Sequence, residues 1–100
     1  HPEMAVEVLE ATDGQQAIDI VDTNPPDIIF LDVMMPVLNG FEVCRHVKLD
    51  RQLTQVKVIM LTAKGQAYDE ERGLKLGADR YMTKPFSFED ILAVIDEYLN

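Results

Sequence analysis

The chain has 100 residues, 47% of them hydrophobic and 27% charged, which suits one hydrophobic core and is too short for two, so residues 1–100 are expected to form a single domain. Eighteen acids against nine bases leave a formal net charge of −9, which opposes direct nucleic acid binding by this domain. No apolar run approaches the ~20 residues a bilayer crossing needs, and no secretory signal opens the chain. The single cysteine, Cys44, excludes an internal disulfide or a cysteine-based zinc cluster and fits a reducing, cytoplasmic compartment.

Strand-like and helix-like segments alternate from end to end. Val6 to Ala11 alternates apolar and acidic residues for most of its length, as a strand exposed on one side does. Thr12-Asp13-Gly14 turns the chain, and Thr12 with Gln15 or Asp13 with Gln16 has the spacing of a helix-capping box. Ala17, Ile18 and Val21 then form an apolar stripe, and Asn24-Pro25-Pro26 stops that helix, because proline lacks the required donor and disfavours a helical predecessor. Asp27 to Val33 is a near-continuous apolar run, and Val56 to Thr62 is a second; both suit central parallel strands covered on two faces. Between them Gly40 to about Leu49 is predicted helical, with Phe41, Val43, Cys44 and Val47 inward. A third helix is expected over Gln66–Leu76, with Gly77 as its left-handed cap. Asp79 to Thr83 reads as a short strand. Ser87 caps a last helix whose Ile91, Leu92, Ile95 and Leu99 recur at helical spacing.

Four strands alternating with four helices predict an α/β fold, a parallel sheet between helical layers. In such sheets chemistry collects at the carboxyl ends of the strands, where Asp32, Thr62 and Lys84 each close an apolar strand. A carboxylate there needs compensation to stay charged. An anionic nucleophile, a cation and a hydroxyl at one spot form a workable apparatus for phosphoryl transfer, which depends on positioning and charge neutralisation, and aspartate is a recognised covalent acceptor. From topology alone, an Asp–Lys ion pair beside a strand-ending threonine explains the pattern equally well. Cys44 reads as a small buried helix residue. His46 reads as surface, and His1 as part of a trimmed end.

Three segments carry a resemblance. Ile29 to Glu42, with Asp32 near its start and Asn39-Gly40 near its end, resembles the phosphorylation segment of response-regulator receiver domains. Val58 to Ala63 resembles their switch-threonine strand, and Gly77 to Phe86 their lysine–proline segment. The three stand in the family's order, and the likeness extends from about Val6 to the C-terminus. It implies a flavodoxin-like doubly wound parallel sheet with helices on both faces, in a bacterial two-component protein. By resemblance, Asp32 is the phosphoacceptor, supplied by a sensor histidine kinase, and the partner it switches is an output domain or target protein of unknown identity. The backbone carbonyl of Met34, with Asp32, would ligate Mg²⁺. Thr62 would bond the phosphoryl oxygen and Lys84 would pair with it. Tyr81 matches the aromatic switch position, where a half-buried strand tyrosine is the plainer alternative. Ala63 is small enough to leave the phosphoryl group accessible, and the Lys84–Pro85 bond is expected to be cis.

The sequence also departs from that family. Receiver domains ordinarily begin with a strand ending in two acids and a helix ahead of the segment that resembles Val6–Ala11. The fold is therefore expected to be N-terminally incomplete, with weakened Mg²⁺ binding. The flanking strands Val6–Ala11 and Ile28–Val33 would each lack a ladder partner, which invites dimerisation or strand exchange. The reading is a non-enzymatic phosphorylation switch. A phosphohydrolase is disfavoured, because such enzymes generally place a second aspartate where Met34 stands. The alternative is a phosphorylation-independent interaction module, or a receiver without phosphoacceptor activity.

Overall fold

The computed structural model describes residues 8–11, 13–35, 37–63, 71–72 and 74–99. Its elements are β1 (Val8–Ala11), α1 (Gly14–Thr23), β2 (Ile28–Asp32), α2 (Gly40–Arg45), β3 (Lys57–Ala63), β4 (Arg80–Lys84) and α3 (Phe88–Leu99). A π-helical turn, His46–Asp50, continues α2. The expected Gln66–Leu76 helix lies largely outside the described residues, although 71–72 and 74–75 are helical. Val6, Glu7 and Thr12 also lie outside them. The last strand begins one residue later than its pattern suggests, within the scatter of element ends.

All described strand pairs are parallel, in the order β1-β2-β3-β4. Val8 pairs with Ile28 and Ala11 with Leu31, while Ile28 pairs with Lys57 and Asp32 with Leu61. The expectation that Ile28–Val33 lacks a ladder partner is therefore corrected: β1 lies directly against β2, and β3 occupies its other side. The physical reason is that β2 is the most uniformly apolar strand, and pairing both its edges satisfies backbone groups that cannot reach water.

The pleat sorts this strand between two cores. Ile29 and Leu31 join Val58 and Met60 beneath Ala17, Val21, Phe41, Val43, Cys44 and Val47 of α1, α2 and the π-turn. Ile28 and Phe30 join Ile59, Leu61 and Met82 on the other face, covered by Val94 with Ile91, Ile95 and Tyr98 of α3. Helices on both faces explain why the run lacks the alternation of a one-sided strand. The inward stripe of α3 differs from the predicted one at Leu92, which is 47% exposed. Packing instead selects positions 91, 94, 95 and 98, spaced i, i+3, i+4 and i+7; the side chain of Leu99 lies outside the described residues.

The helix starts are built by short polar side chains. Asp13 accepts from the Gln15 and Gln16 backbone N–H groups at 2.8 and 3.2 Å and caps α1. Asn39 and Glu42 form a reciprocal box at α2. Ser87 and Asp90 do the same at α3, at 3.2 and 2.9 Å. Gly77 has φ +95°, as expected of a left-handed cap.

Asp79 ties the layers together. Its Oδ2 accepts from Val58 N–H and faces Lys48 Nζ, both at 2.8 Å. Its N–H donates to Val58 O at 2.9 Å, and its carbonyl accepts from the Tyr98 hydroxyl at 2.8 Å. The Lys48 side chain is only 9% exposed, so losing its counter-charge strands a largely desolvated ammonium. Asp79→Ala is expected to lower unfolding free energy by about 2 kcal/mol, read from denaturant midpoints at constant slope.

A second ion cluster lies on the surface between α1 and the π-turn. Asp22 accepts from His46 Nε2 at 2.8 Å and pairs with Arg51. The His46 hydrogen bond, against some desolvation and with help from the charges of His46 and Arg51, holds the Asp22 carboxyl below its ordinary value of 3.8. A depressed folded-state pKa contributes stability that is complete above the unfolded value and is lost as pH falls through the folded one. Between pH 5 and pH 3, Asp22→Asn should therefore lose less stability than the parent. The difference should be at most about 1 kcal/mol, because the pair is exposed to solvent.

Candidate functional site

Asp32 closes β2, and its ladder partner Leu61 precedes Thr62 in β3. Thr62 pairs with Thr83, and Ala63 with Lys84. The parallel register thus brings the ends of three strands level. Lys84 Nζ contacts Asp32 Oδ2 across β3, and the Met34 backbone N–H donates to Asp32 Oδ1 at 2.9 Å. Both carboxylate oxygens consequently meet a donor. Asp32 is 30% exposed at the side chain and Lys84 is 45% exposed, so the pair sits at an open rim where an incoming group can reach it.

The loop after Asp32 is held by backbone contacts. Val33 N–H donates to Leu61 O at 2.9 Å, and Gly40 N–H to Val33 O at 3.1 Å. A side chain at Gly40 would place Cβ 2.5 Å from the Asp32 carbonyl oxygen, and one at Gly14 would lie 2.0 Å from that of Leu38. The two glycines let the starts of α2 and α1 close on this loop. Within it Val37 has φ +71°, a costly conformation for a β-branched residue.

Thr62 is buried at 5% exposure, one ladder step beyond the residue paired with Asp32. Tyr81 is half-buried and packs on the α1–α2 core. Alternation places Tyr81 on the same sheet face as its partner Met60 and, two residues on, as Thr62. The Lys84–Pro85 bond is cis, as the resemblance implies. The described contacts thus join Asp32 directly with Lys84, and set Thr62 and Tyr81 on one neighbouring face. The engagement of Asp32 by the Met34 N–H and the close approach of Gly40 were not read from the sequence; the Asn39-Gly40 pair was the available signal.

Two other candidates resolve plainly. Cys44 is fully buried, and its Sγ–H donates to Leu76 O at 3.7 Å. Burial pushes its thiol up to about 12, which suppresses the nucleophilic thiolate at neutral pH. His46 belongs to the Asp22 cluster. Among the described residues no group of three or more His, Cys, Asp or Glu side chains converges to hold a metal. The Asp32 oxygens, which the resemblance offers to Mg²⁺, are engaged by the Met34 N–H and by Lys84.

Comparisons with known proteins bear on the family and the fold. The family model described as "Response regulator receiver domain" matches residues 2–96. The alkaline phosphatase synthesis transcriptional regulatory protein PhoP of Bacillus subtilis is 44% identical over 93 residues, which cover 93% of this chain and 38% of that protein. This chain therefore spans well under half the length of that relative. The chemotaxis response regulator CheY4 of Vibrio cholerae superposes with TM-score 0.85 at 25% identity, over 96% of this chain and 100% of that one. The receiver domain of the Francisella response regulator 1452 superposes with TM-score 0.77 at 33% identity, over 88% and 71%. The sheet is accordingly of the flavodoxin-like, doubly wound kind.

Gly40→Ala sets two effects against each other. Alanine favours a helix over glycine by about 1 kcal/mol, but its Cβ meets a backbone oxygen that cannot rotate away, a clash that costs typically 1–3 kcal/mol. A net fall in melting temperature is expected, with loss of the Asp32–Met34 hydrogen bond seen as faster amide exchange at Met34.

Proposed function

This chain belongs to the response-regulator receiver family, and on that premise we propose that it is a phosphoacceptor switch, phosphorylated on Asp32 by a sensor histidine kinase. The observation that carries the proposal is the Lys84–Asp32 contact at the rim of the sheet, supported by the Met34 N–H on the second carboxylate oxygen. In the proposed reaction an Asp32 oxygen attacks phosphorus, forming an acyl phosphate while the P–N bond to the donor imidazole breaks. Lys84 moves from carboxylate to phosphoryl oxygen and neutralises the added charge. Thr62 donates its hydroxyl to the same group, and Tyr81 turns inward on the face it shares with Thr62. A two-state domain is thereby biased by a new dianion.

Receiver domains generally bind Mg²⁺ at an acidic pocket. Here the donors to which the family resemblance points are the Asp32 carboxylate and the Met34 carbonyl. One carboxylate with waters makes a weak site for an ion that prefers octahedral oxygen coordination; when bound there it would neutralise charge beside Asp32.

Residues 1–100 act in this reading as a single receiver unit in the cytoplasm, without catalytic turnover on small substrates. Among the described residues no helix is long and apolar enough to cross a membrane. The Bacillus relative is named a transcriptional regulatory protein. An output of that class would supply the nucleic-acid contacts that a net charge of −9 opposes in these residues. The second reading is an interaction module whose partner binds regardless of phosphorylation.

The test is intact mass after incubation with Mg²⁺ and a small-molecule phosphodonor, beside Asp32→Asn. Gain of one phosphoryl group by the parent alone is expected. Equal gain by Asp32→Asn would remove Asp32 from the role, and gain by neither would leave the interaction module.

A further inference from the structure

Away from the Asp32 rim, a cavity of ≈ 290 Å³ lies between α2 and the helical residues that follow β3, lined by Phe41, Glu42, Arg45, Arg72, Lys75 and Leu76. We propose that this groove docks an acidic segment of a partner protein, with Arg45 and Arg72 gripping its carboxylates.

Most described cations of this acidic chain are already paired. Lys48, Arg51, Arg80 and Lys84 each face a carboxylate of the same chain. Lys57, Arg45 and Arg72 pair with no carboxylate among the described residues, and the two arginines line this one groove. Lys75 stands 3.6 Å from Glu71, with both side chains over 70% exposed, a pairing too long and too wet to consume its charge. The opposing carboxylate in the lining, Glu42, accepts the Asn39 N–H at 3.3 Å in the cap of α2.

Arg72 is also pre-oriented. Its guanidinium carbon lies 4.4 Å from the centroid of the Phe41 ring, an arrangement that fixes the guanidinium at the ring while leaving its N–H donors for a ligand. Phe41 itself is 4% exposed, so the groove has a rigid floor. Paired guanidinium groups suit carboxylates, which accept two parallel N–H bonds. The volume is below that of ordinary cofactor sites and holds one or two side chains. The −9 charge of the chain repels an extended polyanion, so a short acidic segment fits where a nucleic acid does not. The groove is separate from Asp32, and the proposal does not depend on phosphorylation.

The test titrates the ¹⁵N-labelled full chain with a helical peptide bearing two glutamates one turn apart, and with its glutamine counterpart. Saturating amide shifts at Glu42, Arg45, Lys75 and Leu76 are expected with the glutamate peptide alone, weakening as salt rises. Affinity should fall about tenfold or more in Arg45→Gln with Arg72→Gln. Arg72→Lys, which keeps the charge over the ring, should fall between that variant and the parent. Asp32→Asn should bind like the parent, so failure of the phosphoacceptor reading leaves this result intact. No saturating shift at these amides, or equal binding of the glutamine peptide, would overturn the proposal. So would the same shifts with inorganic phosphate or a single-stranded oligonucleotide, which would make the groove a general anion site.

Discussion

A carboxylate at the end of a strand buried on both faces is the constraint on which the rest of the structure turns. β2 carries four buried apolar residues into Asp32, and desolvation disfavours that charge unless donors reach it. The donors are the Met34 N–H from the same loop and Lys84 from across β3. Lys84 can arrive only if β4 runs parallel to β3 in a register that pairs Ala63 with Lys84. The polar contact at the rim and the apolar layers beneath it therefore demand the same alignment. A one-residue slip of β4 would exchange Met82 for a neighbour on the opposite face, exposing it to the wrong core and carrying Lys84 away from Asp32.

Steric permission complements that alignment. The loop from Val33 to Asn39 is compressed between the starts of two helices, and the contacts at Gly14 and Gly40 leave no room for Cβ. Asn39 starts α2 immediately beyond the loop, and its box with Glu42 fixes where the helix begins. Val37, at positive φ and 72% exposed, carries the remaining local strain, of order 1–2 kcal/mol for an L-residue with Cβ. Surrounding contacts offset it: Val33 and Gly40 hydrogen bonds on one side, and the buried face of α2 on the other.

Much of this was legible in the residue pattern, for reasons that also mark its limits. The uninterrupted apolar runs of β2 and β3 require cover on both faces, and the helical stripes supply it, so layer order and the crowded strand ends follow. The caps at Gly77 and Ser87 depend on chemistry within a few residues. Pairings over long separations leave no such local trace. Nothing near Asp79 announces Lys48 or Tyr98, and nothing in Val8–Ala11 states that it will lie beside β2. Leu92 was misplaced because an apolar residue one step off the stripe preserves the periodicity while rotating out of the contact. Asn39 and Glu42 carry the spacing of a capping box, a local signal for the start of α2.

The distribution of charge finally separates two uses of the same side-chain types. At the rim, Lys84 faces Asp32 in an exposed pair, where an anion arriving from solvent can compete with the carboxylate for the ammonium. At Asp79, Lys48 is half-buried with its partner and far less open to a competing anion, so the same Asp–Lys chemistry contributes rigidity instead. Exposure decides between the two outcomes: 45% for Lys84 against 9% for Lys48. The two kinds stand at opposite ends of the same strands, the exposed pair where β3 and β4 finish and the half-buried one where they begin. The Val58–Asp79 hydrogen bonds, at the entry to both strands, anchor that second end.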